Sequence, residues 1–162
     1  MALTPAQMAT VKANILASGD MNTLPNNTDG SYAIAALYNL PASPAFTVWK
    51  TNVSINDVGK KFVGTELAGL TTGNQTRLQT LAQYLVDGVN PSLSDNRLFF
   101  DDVFSGAGGT NTRAALLILW KRTATRFEKL LIASGTGSDA SPAVLGYEGQ
   151  VSYQDIDQAR NS

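Results

Sequence analysis

The chain has 162 residues, a net charge of −1 at pH 7, and 15% charged residues against 43% hydrophobic ones. This length suits one globular domain, whose apolar core needs no disulfide or metal to hold it together. The chain contains neither histidine nor cysteine, which excludes Ser-His-Asp and Cys-His catalysis and nearly every zinc site, and its near-neutral charge argues against a dedicated nucleic-acid-binding protein.

The N-terminal segment carries the clearest start signal for a helix. Thr4 is placed as an N-cap, Pro5 follows at the first helical position, and Gln7 completes a capping box. Apolar residues then recur at helical spacing, and Gly19 predicts the end of the helix. Similar apolar faces, each bounded by cap residues, proline or glycine, predict further helices at residues 31–39, 55–62, 74–87 and 93–104.

Two segments of the chain leave more than one interpretation open. Residues 45–50 follow a serine-proline cap signal that predicts a short helix, but their β-branched and aromatic residues suit a strand equally well. Residues 111–134 predict either one long helix or two helices joined by a kink near Thr123, because Thr125 and Glu128 repeat the capping-box pattern.

The C-terminal part of the chain changes character. Apolar and polar residues follow one another over 144–153 in a pattern that suits extended chain or a hairpin, although Ser152 and Asp155 equally suit the start of a final helical turn. We therefore predict an all-α fold. Residues 1–135 form a helical domain, a small bundle of about five or six helices, and residues 136–162 form an irregular or extended C-terminal arm or tail.

The predicted arm has two possible destinations. It can engage a neighbouring subunit or partner, as an added strand or in a groove, or it can pack back on its own helices. The residues predicted to make its contacts are Tyr147, Val151, Tyr153 and Asp155.

Basic charge is concentrated in one short part of the sequence. Five of the twelve basic residues lie within 17 positions, where only Glu128 opposes them, whereas residues 139–160 are net acidic. On a single helix, Arg122, Arg126 and Lys129 share one face because they are spaced i, i+4, i+7. The pattern predicts complementary contact patches on neighbouring subunits, with a solvated helix face as the alternative and DNA contact as a weaker version. The basic contact surface comprises Arg113, Lys121, Arg122, Arg126 and Lys129.

No pattern in the sequence predicts a catalytic or metal site. The glycine-rich loops at 105–110 and 135–138 lack the lysine-containing phosphate-binding motif and are predicted to be helix ends followed by caps. A muramidase would need a buried acid, such as Glu66 or Glu128, with a tuned pKa and an aspartate across a cleft. We therefore predict a protein that is not an enzyme and has no cofactor, and no membrane contact, since no apolar run approaches about 18 residues.

Four blocks of the sequence follow one another in a recognisable order. They occupy residues 1–7, 45–51, 121–130 and 133–143. In these blocks and their order, the chain resembles a family of short proteins encoded in the structural gene modules of tailed bacteriophages and prophages. The resemblance covers most of the chain and contains no catalytic motif.

This resemblance implies a role in the virion or in its assembly. It implies a head-to-tail adaptor, or connector, that forms a homo-oligomeric ring, typically of twelve subunits, in the virion neck under the portal. Such rings assemble in the host cytoplasm, contact the portal protein and the tail or stopper proteins, and pass DNA through their lumen. The alternatives are another virion protein (tail-completion, tail-tube or capsid-associated) and a non-virion assembly chaperone.

Overall fold

The structure is a computed structural model that describes residues 3–162. Over these residues the chain divides into two compact units, the first formed by the residues up to Val48 together with Thr123–Ser162, and the second by Trp49–Arg122. The helices are α1 (Pro5–Ala17), α2 (Thr28–Tyr38), α3 (Ile55–Gly59), α4 (Gly64–Ala68), α5 (Thr72–Tyr84), α6 (Ser94–Val103), α7 (Thr110–Leu119), α8 (Arg126–Leu130) and α9 (Tyr153–Asn161). The strands are β1 (Thr47–Trp49), β2 (Lys121–Thr123), β3 (Ile132–Ser134) and β4 (Val144–Leu145).

The fold is rich in helices but is not the all-α bundle that the sequence predicts. Nine α-helices and two small sheets are present in the described residues. Strands β1 and β2 form one two-stranded sheet, and β3 pairs antiparallel with β4, where Ile132 lies opposite Leu145. Helix α4 lies outside every predicted helix, because periodicity over a longer window cannot detect a single turn of five residues.

The start of the chain folds as its cap residues predict. The Thr4 side chain accepts a hydrogen bond from the Gln7 backbone, and the Gln7 side chain accepts one from the Thr4 backbone N–H at 2.9 Å. Helices also occupy the four other predicted positions, although α2 begins three residues earlier than predicted because Asn27 provides its N-cap. Residues 45–50, for which the sequence allows a short helix or a strand, contain the strand β1.

The segment 111–134 differs from both predicted forms. Helix α7 ends before Trp120, strand β2 follows, and α8 starts after the N-cap Thr125. The capping box between Thr125 and Glu128 is confirmed. The chain leaves the helix here because residues 121–123 enter a sheet with β1, a partner more than 70 residues away in sequence.

The core of the first unit includes the end of the chain. Helix α9 packs on α1 and α2, and its residues Ile156 and Ala159 are fully buried in the same cluster as Val11 and Ile34. Ser152 and Asp155 form the capping box that starts α9. The boundary predicted after residue 135 therefore does not coincide with the division of the structure, since residues 136–162 share a unit with the N-terminal helices.

Aromatic side chains build the core of the second unit. Phe100 of α6 and Phe104, which directly follows the end of α6, are both buried. The ring centre of Phe62 lies 6.5 Å from that of Phe100 and 5.2 Å from that of Phe104. Trp120 meets Phe100 in an edge-to-face arrangement at 5.5 Å. This cluster fixes the end of α7 close to α6.

Candidate functional site

The five basic residues predicted to form one contact surface lie on three different elements. Arg113 is on α7, Lys121 and Arg122 are on β2, and Arg126 and Lys129 are on α8. Because β2 separates the two helices, the i, i+4, i+7 spacing no longer places three of them on one helical face. The prediction that Arg122, Arg126 and Lys129 share one helical face is therefore wrong. Contact of the five basic residues with a partner stays a prediction.

Arg126 and Lys129 line a cleft of about 380 Å³ in the first unit. Arg126 Nη1 lies 3.0 Å from Asp20 Oδ2, and the Lys129 ammonium lies 5.4 Å from the Phe46 ring centre. Hydrogen bonding from Ser18, together with Arg126, holds the pKa of Asp20 below its ordinary value. Arg126 thus already forms an ion pair with an acid of its own unit, Asp20.

A second cavity, of about 440 Å³, lies within the second unit. Its lining includes two arginines, Arg97 and Arg113, one acid, Asp101, and both tryptophans of the chain, Trp49 and Trp120. This volume falls in the range of small-molecule pockets, about 300–1,000 Å³.

Arg97 is held against the wall of this cavity. The carbon of its guanidinium lies 4.1 Å from the Trp49 ring centre, and Nη1 donates to the carbonyl oxygen of Pro91. Partial burial lowers the pKa of Arg97, against the opposing effect of the Asp101 charge. The cation is therefore desolvated and stacked, which fixes its plane.

Arg113, from α7, lines the same cavity. Its Nη1 donates to the carbonyl oxygen of Gly106 at 3.0 Å and also to that of Phe104. Across residues 3–162, neither Arg113 nor Arg97 has a carboxylate within ion-pair distance. The Lys121 ammonium lies 5.9 Å from the Trp49 ring centre, so two of the five predicted basic residues lie at or beside this cavity.

Trp120 adds a polar group with no partner in the described part of the chain. The residue is only 2% exposed, and its indole N–H is buried without a hydrogen-bond acceptor among residues 3–162. Such buried donors without a partner are uncommon in folded proteins. Sequence reasoning missed Arg97 and both tryptophans, because they come from segments far apart in sequence.

Glu66 is buried for a structural reason. Its carboxylate accepts hydrogen bonds from the backbone N–H groups of Asn111 at 3.0 Å and Thr112 at 2.8 Å, in the first turn of α7. Desolvation raises its pKa, but the hydrogen bonds from Thr112 and Asn111 outweigh that effect and hold the pKa below its ordinary value. The helix that follows the glycine-rich loop 105–110 therefore directs these N–H groups to a carboxylate of the chain itself.

Glu128 is even more deeply buried, at 1% exposure. Its two carboxylate oxygens accept from the backbone N–H groups of Thr125 at 2.9 Å and Gly149 at 3.0 Å. Both glutamates considered for a muramidase thus stabilise backbone N–H groups. A general acid of that kind needs a raised pKa, whereas the pKa of Glu66 is lowered.

The residues predicted for the C-terminal arm make contacts inside the first unit. Tyr147 and Val151 are 5% and 3% exposed and belong to its core. Tyr153 stacks on Tyr32 with ring centres 4.0 Å apart, and Asp155 accepts from the Ser152 hydroxyl at 2.6 Å. The structure places these residues in the alternative arrangement, packed on the chain's own helices.

Large apolar side chains are exposed around α5 and α6. Helix α5 has no fully buried residue, although its leucines predict a core face. Tyr84 and Val86 are 80% and 77% exposed, and Leu98 on α6 is 61% exposed. A shallow groove of about 260 Å³, lined by Leu81, Tyr84 and Phe99 among others, runs between the two helices.

Among residues 3–162, no group of three or more acidic side chains is arranged to hold a metal ion. Within the same residues, no helix is both long enough and apolar enough to cross a membrane. In comparisons with known proteins, no family model, curated protein or solved structure matches this chain.

Proposed function

We propose that this chain is a structural protein of a tailed-phage virion, most specifically a head-to-tail adaptor. In this role it forms a homo-oligomeric ring under the portal and bridges capsid and tail. The proposal takes its virion context from the sequence blocks at residues 1–7, 45–51, 121–130 and 133–143, which resemble proteins of phage structural modules.

The observation that carries the proposal is the exposed apolar surface of α5 and α6, which we call the α5–α6 surface. We define it by Tyr84 at the end of α5, Val86 in the loop that follows α5, and Leu98 on α6, each more than half exposed. Exposed apolar patches are among the features that mark protein contact sites. A subunit that is covered by neighbours in a ring has a reason to keep such residues outside its own core.

The charge distribution supports the same role. Only 15% of the residues are charged, a composition that suits contact with neighbouring subunits. In a ring, each subunit presents two different faces to its neighbours, so a basic patch and an acidic patch on one chain can meet around the ring. Arg113 and Lys121 would supply part of the basic patch.

The first test is the copy number of this chain in purified virions, measured by quantitative mass spectrometry against the major capsid protein. About a dozen copies per particle support the adaptor ring, which closes with the symmetry of a cyclic oligomer. Hundreds of copies indicate a tail-tube or capsid-associated protein instead. Absence from the particle leaves an assembly chaperone and overturns the virion role.

A second test addresses the α5–α6 surface directly. Replacing Tyr84 and Leu98 together with serine removes exposed apolar area without touching the core of the second unit. We expect normal folding and a loss of incorporation into particles. Leu16→Ser is the matched control, since Leu16 is 61% exposed on α1 of the first unit. Equal incorporation of the double variant and the control would contradict the role of this surface.

A further inference from the structure

We infer that the cavity of the second unit binds a carboxylate from an acidic segment of a partner protein. Arg97 and Arg113 would receive the carboxylate, and Trp49 would form the apolar wall beside it. This inference goes beyond the adaptor role and does not depend on it, because it concerns one cavity within residues 49–122.

Charge complementarity carries the choice of ligand. Both arginines line the cavity, and neither has an ion-pair partner across residues 3–162. Asp101 is the one acid in the lining, so two positive charges face one negative charge. Each guanidinium uses Nη1 for backbone carbonyl oxygens, which leaves its other N–H groups for an incoming anion. Arginine matches a carboxylate with two parallel hydrogen bonds.

The apolar part of the lining indicates a peptide rather than a bare ion. Ala114 and Leu117, one helical turn apart on α7, lie beside the tryptophans in the cavity wall. A volume of about 440 Å³ accommodates an acidic side chain together with an apolar neighbour. A nucleic acid is the less suitable polyanion, because the chain as a whole carries a net charge of −1.

The two tryptophans provide a direct readout. Both line this cavity and the chain has no other tryptophan, so tryptophan fluorescence, excited selectively over that of the tyrosines, reports on the site. The probe is a pentapeptide with blocked ends, Gly-Glu-Leu-Asp-Gly, and its control is the amide analogue Gly-Gln-Leu-Asn-Gly. We expect a saturable fluorescence change with the acidic peptide and at least about tenfold weaker binding of the amide peptide, because the amides cannot form charge-assisted pairs.

Variants separate the site from general effects of charge. Arg97→Gln and Arg113→Gln should each weaken binding of the acidic peptide by about tenfold or more, the effect of losing one charge-assisted contact. Arg77→Gln is the matched control, since Arg77 belongs to the same unit but pairs with Asp102 at 2.7 Å and lies outside the lining. Ala114→Leu fills the cavity and leaves both arginines in place, so it tests the site even if an arginine variant fails to fold.

Each outcome bears on the inference. Loss of binding in Ala114→Leu, with wild-type affinity in Arg77→Gln, supports it. Equal binding of the two peptides, or an equal effect of Arg77→Gln, overturns it. If inorganic phosphate or a single-stranded dT oligonucleotide binds more tightly than the acidic peptide, the cavity is a phosphate site and the carboxylate assignment is wrong. If the fluorescence shows no saturable change up to millimolar peptide, the cavity does not bind the peptide and the inference is wrong.

Discussion

The carboxylate of Glu66 accepts the backbone N–H of Thr112 at 2.8 Å, although 46 positions separate the two residues. The same carboxylate also accepts the N–H and the side-chain amide of Asn111, each at 3.0 Å. A side chain of α4 thus caps α7, a helix whose own N-cap, Gly109, makes no side-chain hydrogen bond. The negative charge also lies at the positive end of the α7 dipole.

Glu66→Gln should destabilise the fold at neutral pH and make its stability less sensitive to acid. The pKa of Glu66 is lower in the folded chain than its ordinary value of 4.5. A lowered pKa gives stability that is fully present above the ordinary value and is lost as the pH falls through the folded value. The difference in unfolding free energy between wild type and Glu66→Gln, measured in urea, should therefore shrink from pH 7 to pH 3. A constant difference would contradict the assignment of the charge to the cap.

The capping interactions show why some of this fold is predictable from sequence and some is not. The box of Thr4 and Gln7 and that of Thr125 and Glu128 lie within three residues, so their pattern is visible in the sequence. The cap formed by Glu66 joins two distant segments and leaves no local pattern. The cavity cannot be predicted from local sequence for the same reason, because its arginines and tryptophans come together only through tertiary packing.

Two neighbouring glycines should respond very differently to alanine. A Cβ atom on Gly109 would lie 2.0 Å from the carbonyl oxygen of Phe104, whereas one on Gly108 would meet no atom within 4 Å. Gly109→Ala should therefore lower the free energy of unfolding by roughly 2 kcal/mol or more, since the backbone has to shift. Gly108→Ala should stay within about 0.5 kcal/mol of wild type. Urea denaturation of both variants checks this, and equal stabilities would contradict the close packing at Gly109.

Thr125→Ala should lower the free energy of unfolding by about 1 kcal/mol, the usual effect of losing an N-cap side chain. The Thr125 hydroxyl accepts the Glu128 N–H at 3.1 Å and thereby starts α8 after strand β2. Ser152→Ala, which removes the equivalent cap of α9, serves as the parallel variant. Thermal or urea unfolding measures both, and a neutral Thr125→Ala would mean that β2 alone sets the start of α8.

The strands follow less directly from the local sequence than the caps do. Residues 121–123, Lys-Arg-Thr, have no alternation of apolar and polar side chains and continue from a helical segment. Their strand conformation depends on pairing with β1, which is remote in sequence. The interpretation of Arg122, Arg126 and Lys129 as one helical face failed for this reason, since it assumed an unbroken helix.

Reversing the charge of Arg126 tests its predicted role in assembly only if its ion pair is preserved. Arg126→Asp places a carboxylate opposite Asp20, whose Oδ2 lies 3.0 Å from the arginine in the wild-type chain, so this variant should lose stability as well as any partner contact. Adding Asp20→Arg restores an opposite-charge pair with the positions exchanged. We expect the double variant to regain the urea midpoint of wild type and still to enter particles poorly, because a partner acid would meet Asp in place of Arg. If the double variant assembles normally, Arg126 acts through stability alone and its predicted contact with a partner is wrong.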